Sequence, residues 1–306
     1  MQLIILSPNF DLVFTEEQKA FLQGVSAVVY KEQKPFTRIQ ELRSDEPKVL
    51  MIDPDFCNWN LTQENVDSIN NLQVILLQTT SFSWLPVDYV TSKNIPVCNI
   101  KGFSGPAVAD YLLMMTLALS RKLPLIIKNS YKQDFSDKFL GFELKGKRAG
   151  IIGLGTIGKL IAERCSGLGM EIVYWSPHST SEQFTPVSIE ELLVSADVVY
   201  PCFAINEFSK NILSNEALSK MKPSSLFVSP IHGVFDAKYL QERVFRGKLG
   251  GLAYEDGSAG VHQIEGNSFI LPDHAWMTHE SMRRNGEGWI ANLKAALAGD
   301  PINKVN

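Results

Sequence analysis

The run Gly153-Leu154-Gly155-Thr156-Ile157-Gly158 has the glycine spacing that phosphate binding requires. Residues 149–152 read as a short apolar strand before it, residues 159–168 as a helix with Leu160, Ile161 and Leu168 on a helical period, and residues 172–175 as a second strand. This spacing predicts a βαβ unit with the glycines at its turn, which is the context of a dinucleotide site. In such a turn Gly153 makes the tight bend, Gly155 lets backbone approach a pyrophosphate, and Gly158 permits close packing of helix on strand. Thr156 and Ile157 open the helix, whose free N–H groups and positive dipole end stabilise a phosphate without a cationic side chain. A glycine-rich turn in some other α/β protein is the plainer alternative, and the two legible flanking strands weigh against it.

The end of the second strand bears on the cofactor. An acidic residue about 20 positions beyond the glycines normally binds the ribose hydroxyls of NAD. Here the sequence runs Tyr174-Trp175-Ser176-Pro177-His178. With Trp175 and Ser176 in that place a 2′-phosphate is not repelled, yet no Arg attracts one. NAD and NADP therefore both stay open, with a slight lean to NADP.

The rest of the chain must position this turn. Before it, short apolar strands at 3–6, 27–30, 49–52, 74–77 and 97–98 alternate with helical stretches, and residues 101–106 form a breaker cluster with Gly102, Gly105 and Pro106. Residues 111–119 read as a buried helix. Beyond the turn, strands are expected at 198–202, 226–229, 251–254 and 269–271, an alternation that predicts a parallel, doubly wound sheet. Ligands in such sheets bind beyond the carboxyl ends of the strands, so the functional loops should follow Ile152, Trp175, Cys202, Ser229 and Leu271. Residues 281–297 read as one helix with Trp289, Ile290, Leu293, Ala296 and Leu297 on its apolar face, expected to return to the N-terminal domain.

At 306 residues with a net charge of -4 and both signs interspersed, the chain has room for two domains and no basic groove for nucleic acid or a membrane surface. The start reads as a strand and not as a signal peptide, and no apolar run approaches the roughly 20 residues a bilayer requires. Cys57, Cys98, Cys165 and Cys202 lack paired spacing, so neither disulfides nor a metal site is suggested, each cysteine is expected to be a small buried hydrophobe, and cytoplasmic residence is the default.

Taken together, these segments resemble the D-isomer-specific 2-hydroxyacid dehydrogenases over nearly the whole chain. Pro106-Ala107-Val108-Ala109-Asp110 is similar to the start of that family's long interdomain helix, residues 150–158 to its dinucleotide turn, and Met221-Lys222-Pro223 with Leu226-Phe227-Val228 to the segment before its catalytic loop. Residues 247–253 resemble the strand before its acidic loop, and Pro272 with Ala275-Trp276 its last active-site segment. The resemblance implies a two-domain α/β fold: a Rossmann-type doubly wound parallel sheet plus a flavodoxin-like N-terminal domain completed by the C-terminal helix. It puts residues 1–100 and 277–306 in a substrate or catalytic domain and residues 101–276 in a dinucleotide-binding domain, with a cleft between them. It further implies NAD or NADP as cofactor, a 2-oxo or 2-hydroxy acid as small-molecule substrate, and a homodimer.

The family's catalytic Arg, Glu and His are not cleanly present. Counting forward from Met221-Lys222-Pro223 puts His232-Gly233 on the family's Arg-Gly pair; counting back from Asp236 puts Ile231 there, and His232 is preferred. A His in place of an Arg offers one donor per direction and titrates near neutrality, so it would clamp a carboxylate more weakly. The family's Thr-Pro-His segment becomes Leu271-Pro272-Asp273, with the histidine moved to His274. Glu255, Asp256 and Glu265 are candidates for the acidic residue, without a register between Glu255 and Asn267. The substrate loop reads Thr79-Thr80-Ser81-Phe82-Ser83-Trp84, with no glycine to let N–H groups close on a carboxylate. Thr80, Ser81 and Phe82 are its candidate contacts, and Phe82 and Trp84 are either cleft-lining or core. Two functions follow: an NAD(P)-dependent oxidoreductase with an altered site, or a catalytically silent dinucleotide-binding sensor or partner-binding protein.

Overall fold

The computed structural model describes residues 1–203, 209–257 and 265–306. The chain divides into two compact units, Met1–Ser104 with Thr278–Asn306, and Gly105–Met277.

In the first unit the continuous apolar runs make strands buried on both faces. These are β1 (Gln2–Leu6), β2 (Val28–Tyr30), β3 (Lys48–Ile52), β4 (Leu72–Leu77) and β5 (Val97–Cys98). All pair in parallel in the order β2-β1-β3-β4-β5, the flavodoxin-like arrangement. One face of the sheet is covered by the C-terminal helix His279–Leu297, where Trp289 stacks on Phe14 at 5.4 Å and its Nε1 donates to the Leu76 carbonyl at 3.0 Å. Asn285 and Asn292 on the same helix are also buried, donating to the carbonyls of Gln78 (2.8 Å) and Asn99 (2.9 Å) just beyond β4 and β5. Leu297, expected on the apolar face, is instead exposed, while its neighbour Ala296 in the same last turn is buried.

The second unit holds β6 (Arg148–Ile152), β7 (Glu171–Trp175), β8 (Thr185–Pro186), β9 (Val198–Pro201), β10 (Leu226–Ser229), β11 (Gly251–Glu255) and β12 (Ser268–Leu271). Their order, β12-β11-β10-β9-β6-β7-β8, is parallel throughout. β8 carries no strand signal in sequence, as a two-residue edge piece ending in Pro makes few ladder bonds. The chain leaves β6 toward β7 on one side and returns through β9 on the other, so the sheet's topological switch point lies between β6 and β9. The helix Gly105–Ser120 packs Ala109, Leu112, Met115 and Leu119 into the core, but Met114 and Leu117 are exposed. It is therefore not the buried helix its apolar run suggested; it is apolar all round and covered on one face only.

Among the described residues no helix is long and apolar enough to cross a membrane, and no group of three or more His, Cys, Asp or Glu side chains is placed to hold a metal ion. All four cysteines are unpaired. Cys98 and Cys165 are buried as expected; Cys57 and Cys202 are only partly so.

Candidate active site

The glycine turn follows the carboxyl end of β6, beside the switch point. Gly153 has φ +93°, a left-handed bend open to glycine, and a Cβ there would meet the Cys202 carbonyl beyond β9 at 2.9 Å. The helix Thr156–Gly167 starts at the turn itself, earlier than apolar periodicity indicates. A Cβ on Gly158 would overlap the Gly153 carbonyl oxygen, so the first helical turn lies directly on the bend. Gly155 caps this helix with no side-chain cap, and a Cβ placed on it would meet nothing within 4 Å. Open space over Gly155 and an uncapped helix N-terminus fit a dinucleotide's pyrophosphate. Ile152 pairs with Trp175, the Trp175 carbonyl accepts the Gly153 N–H at 2.7 Å, and half-buried Trp175 and Ser176 thereby flank the turn.

Three loops leave the same edge of this sheet further along. After β10, Val234 is buried and the Phe235 ring packs edge-on against Phe227 (4.9 Å) and Tyr254 (5.4 Å), while Asp236 caps the helix Ala237–Phe245. These anchors leave His232 exposed at the tip of the loop, its Nδ1 3.2 Å from the Glu255 carbonyl oxygen. Ile231 is half-buried, its N–H donating to Ser229 Oγ.

Glu255 ends β11 and is 5% exposed. Its Oε1 accepts the backbone N–H groups of His274 (2.8 Å) and Ala275 (2.7 Å), which fastens the loop after β12 to β11. Burial pushes the Glu255 carboxyl up to about 7; the two N–H donors pull it back only in part, and the Asp273 charge adds to the rise. The carboxyl thus holds the backbone of the His274 loop and not an imidazole. The Asp273 carboxylate lies over Gly257, where a Cβ would overlap it. His274 is exposed on the loop that Glu255 secures. Glu265 precedes β12 and so stands at the opposite edge of the sheet, which removes it from this group. Residues 258–264 of the acidic loop lie outside the described residues.

Tyr111, on the helix Gly105–Ser120, was not singled out in the sequence. Its hydroxyl is pushed up to about 12, first by burial and then by the charges of Glu255 and Asp273. An aromatic inside an apolar helix looks like core, and only the fold brings it near the two carboxyls.

The candidate substrate loop belongs to the first unit, beyond the carboxyl end of β4. Thr80 Oγ1 donates to the Ile100 carbonyl and Thr79 Oγ1 to that of Ser81, both at 2.7 Å. The backbone N–H groups of Thr80, Ser81 and Phe82 have no acceptor among the described residues, and no residue from 79 to 84 has a positive φ. The loop thus presents N–H groups without needing a glycine. Phe82 and Trp84 divide: Phe82 is exposed, whereas Trp84 is buried core.

Residues 113–256 match the family model for the NAD-binding domain of D-isomer specific 2-hydroxyacid dehydrogenases. A protein of Staphylococcus haemolyticus assigned to the 2-hydroxyacid dehydrogenases is 31% identical over 263 residues, covering 81% of this chain and 80% of that one. A glyoxylate reductase of Thermofilum pendens is 26% identical over 310 residues, covering 94% and 90%. The chain belongs to the D-isomer-specific 2-hydroxyacid dehydrogenase family. Its fold is shared with a glyoxylate reductase from Paecilomyes thermophila (TM-score 0.84, 20% identity, 100% and 98% covered). It is shared equally with an acyclic imino acid reductase solved with NADPH and D-arginine (TM-score 0.85, 21% identity, both chains fully covered).

Gly155→Val should leave the fold intact, since its side chain enters open space, yet lower NADH and NADPH affinity at least tenfold by calorimetry. Gly158→Ala should instead lower stability by about 1–3 kcal/mol, measured by denaturant unfolding, because its methyl meets backbone. For Glu255, the folded state keeps a proton up to about pH 7 that the unfolded chain releases near 4.5. Stability should therefore fall as pH rises between those values, by on the order of 3 kcal/mol from this group. Glu255→Gln, which keeps an oxygen for both N–H donors, should remove that part of the slope in paired unfolding curves.

Proposed function

We propose that the chain is an NAD(P)-dependent oxidoreductase that reduces a 2-oxo acid to its 2-hydroxy acid. The observation that carries this is the convergence of His232, Glu255, Asp273 and His274 on the edge of the sheet that bears the glycine turn. A reduced nicotinamide dinucleotide whose pyrophosphate the Gly153–Gly158 turn would hold would supply the hydride. His232, donating from Nδ1 to the Glu255 carbonyl, turns Nε2 outward, and with the ring protonated Nε2–H binds the substrate's carboxylate or carbonyl. His274 delivers a proton to the carbonyl oxygen from a backbone that Glu255 holds still, and the Asp273 charge helps keep the Glu255 carboxyl neutral. Within the first unit, the N–H groups of Thr80, Ser81 and Phe82, which have no acceptor among the described residues, are suited to a carboxylate. Trp175 and Ser176 place no carboxylate against a 2′-phosphate, so NADPH is taken slightly in preference to NADH.

We further propose a homodimer in the cytoplasm. Unpaired, largely buried cysteines suit a reducing compartment. The second unit leaves Leu123, Ile127, Tyr131, Leu140 and Phe135, the last 90% exposed, along residues 123–140, with Met114 and Leu117 exposed on the preceding helix. Apolar side chains left in solvent on that scale mark an association surface, and a second copy is the partner offered. Sedimentation should give twice 34.1 kDa, and Phe135→Asp with Tyr131→Asp should yield monomer.

The activity is tested by a screen of 2-oxo acids with both reduced cofactors, followed at the nicotinamide absorbance. Turnover should fall at least 100-fold in His274→Asn with cofactor affinity kept. Asp273→Asn should have a smaller effect, and none when His274 is already replaced. A screen with no turnover and intact cofactor binding would favour a dinucleotide-binding sensor.

A further inference from the structure

We infer that the first unit carries an aromatic shelf, built on Trp59, that selects 2-oxo acids bearing an aromatic side chain; the inference rests on the reading of the chain as a 2-oxo acid reductase. The short helical turn Pro54–Cys57 follows β3 and ends in Asn58 (φ 52°) and Trp59 (φ 56°), two successive non-glycine residues in the left-handed region. Asn visits that region readily, but a bulky indole does so only where its surroundings enforce it.

The enforcement is visible bond by bond. The Trp59 N–H donates to the Pro54 carbonyl at 2.9 Å, and Gln33 Nε2 donates to Asn58 Oδ1 at 3.0 Å. The indole Nε1 donates to Asp55 Oδ1 at 2.8 Å, and Asp55 is itself held through Oδ2 by Asn9 Nδ2 at 2.8 Å. The Trp59 ring meets the Trp84 ring edge-on, with centroids 6.4 Å apart and planes at 69°. Despite these anchors Trp59 is 52% exposed, so the strained backbone secures an indole in solvent and fills no core.

The shelf is continuous with the candidate substrate loop. Buried Trp84 donates Nε1 to the Ser81 carbonyl at 2.9 Å, and its own carbonyl accepts the Leu61 N–H at 2.8 Å. The turn after β3 and the loop after β4 are thus one braced piece, with the N–H groups of residues 80–82 at one end and the Trp59 face at the other. Because the indole N–H is already used, what Trp59 offers is a π surface, which suits an aryl group stacked or edge-on. A 2-oxo acid whose carboxylate sits on residues 80–82 would extend its side chain toward that face. Glyoxylate has no side chain to use it.

The test compares kcat/KM for phenylpyruvate and glyoxylate in the wild type, Trp59→Ala and Trp59→Gly. Glycine relieves the left-handed strain and so offsets part of the contacts that Trp59→Gly loses, and denaturant unfolding of both variants separates recognition from stability. The wild type is expected to prefer phenylpyruvate, with both variants lowering the phenylpyruvate-to-glyoxylate ratio at least tenfold. An unchanged ratio, or an equal loss on both substrates, would overturn the shelf. If neither compound is reduced, the reductase reading fails, and calorimetry of 3-phenyllactate against lactate on the cofactor-loaded protein decides the shelf alone. Preferential binding of 3-phenyllactate that Trp59→Gly abolishes upholds it, and equal or absent binding overturns it.

Discussion

The first turn of the helix Thr156–Gly167 rests on the carbonyl oxygen of Gly153, with no space between them for even a methyl group. That contact orients the helix so that its uncapped N-terminus stands over the carboxyl end of β6, where the sheet reverses its order. Unpaired N–H groups and a positive dipole end then face the same space that Gly155 leaves open, and an anion is stabilised without a side chain being committed to it. The other loops of the site inherit their position from this arrangement, because all leave parallel strands whose carboxyl ends point the same way.

Within that frame, Glu255 does work that charge alone does not describe. Its carboxyl is out of water, and although two backbone N–H groups on one oxygen favour the anion, burial outweighs them and the neutral form persists to about pH 7. A neutral carboxyl can keep the His274 loop in place without the full desolvation penalty of a buried anion. His232 meets the same residue through its carbonyl oxygen, and Glu255 thereby links the loops after β10, β11 and β12. Glu255 supports the backbone beneath the His274 ring and not the ring itself.

The first unit solves a different problem. Its sheet is buried on both faces, and the carbonyls just past β4 and β5 lose water when the C-terminal helix covers them. Asn285 and Asn292 satisfy the carbonyls of Gln78 and Asn99 from the covering helix, which explains amides on an otherwise apolar face. The same edge carries the braced loops with Trp59 and residues 80–82.

Features set by neighbours in the chain were legible from the amino-acid order alone. The glycine turn, eleven of the twelve strands to within two residues at each end, the parallel sheets and the family all follow from local spacing and continuous apolar runs, since backbone conformation and strand burial act over a few residues. What depends on which loop meets which could not be read there. Tyr111 looked like core until its helix came to lie near Glu255 and Asp273, Glu265 looked eligible until β12 put it at the far edge, and Phe82 and Trp84 looked alike until one was buried. The elevated Glu255 carboxyl and the exposed, strained Trp59 belong to the same class. Burial and long-range hydrogen bonding create both, and neither quantity exists before residues far apart in sequence are brought together.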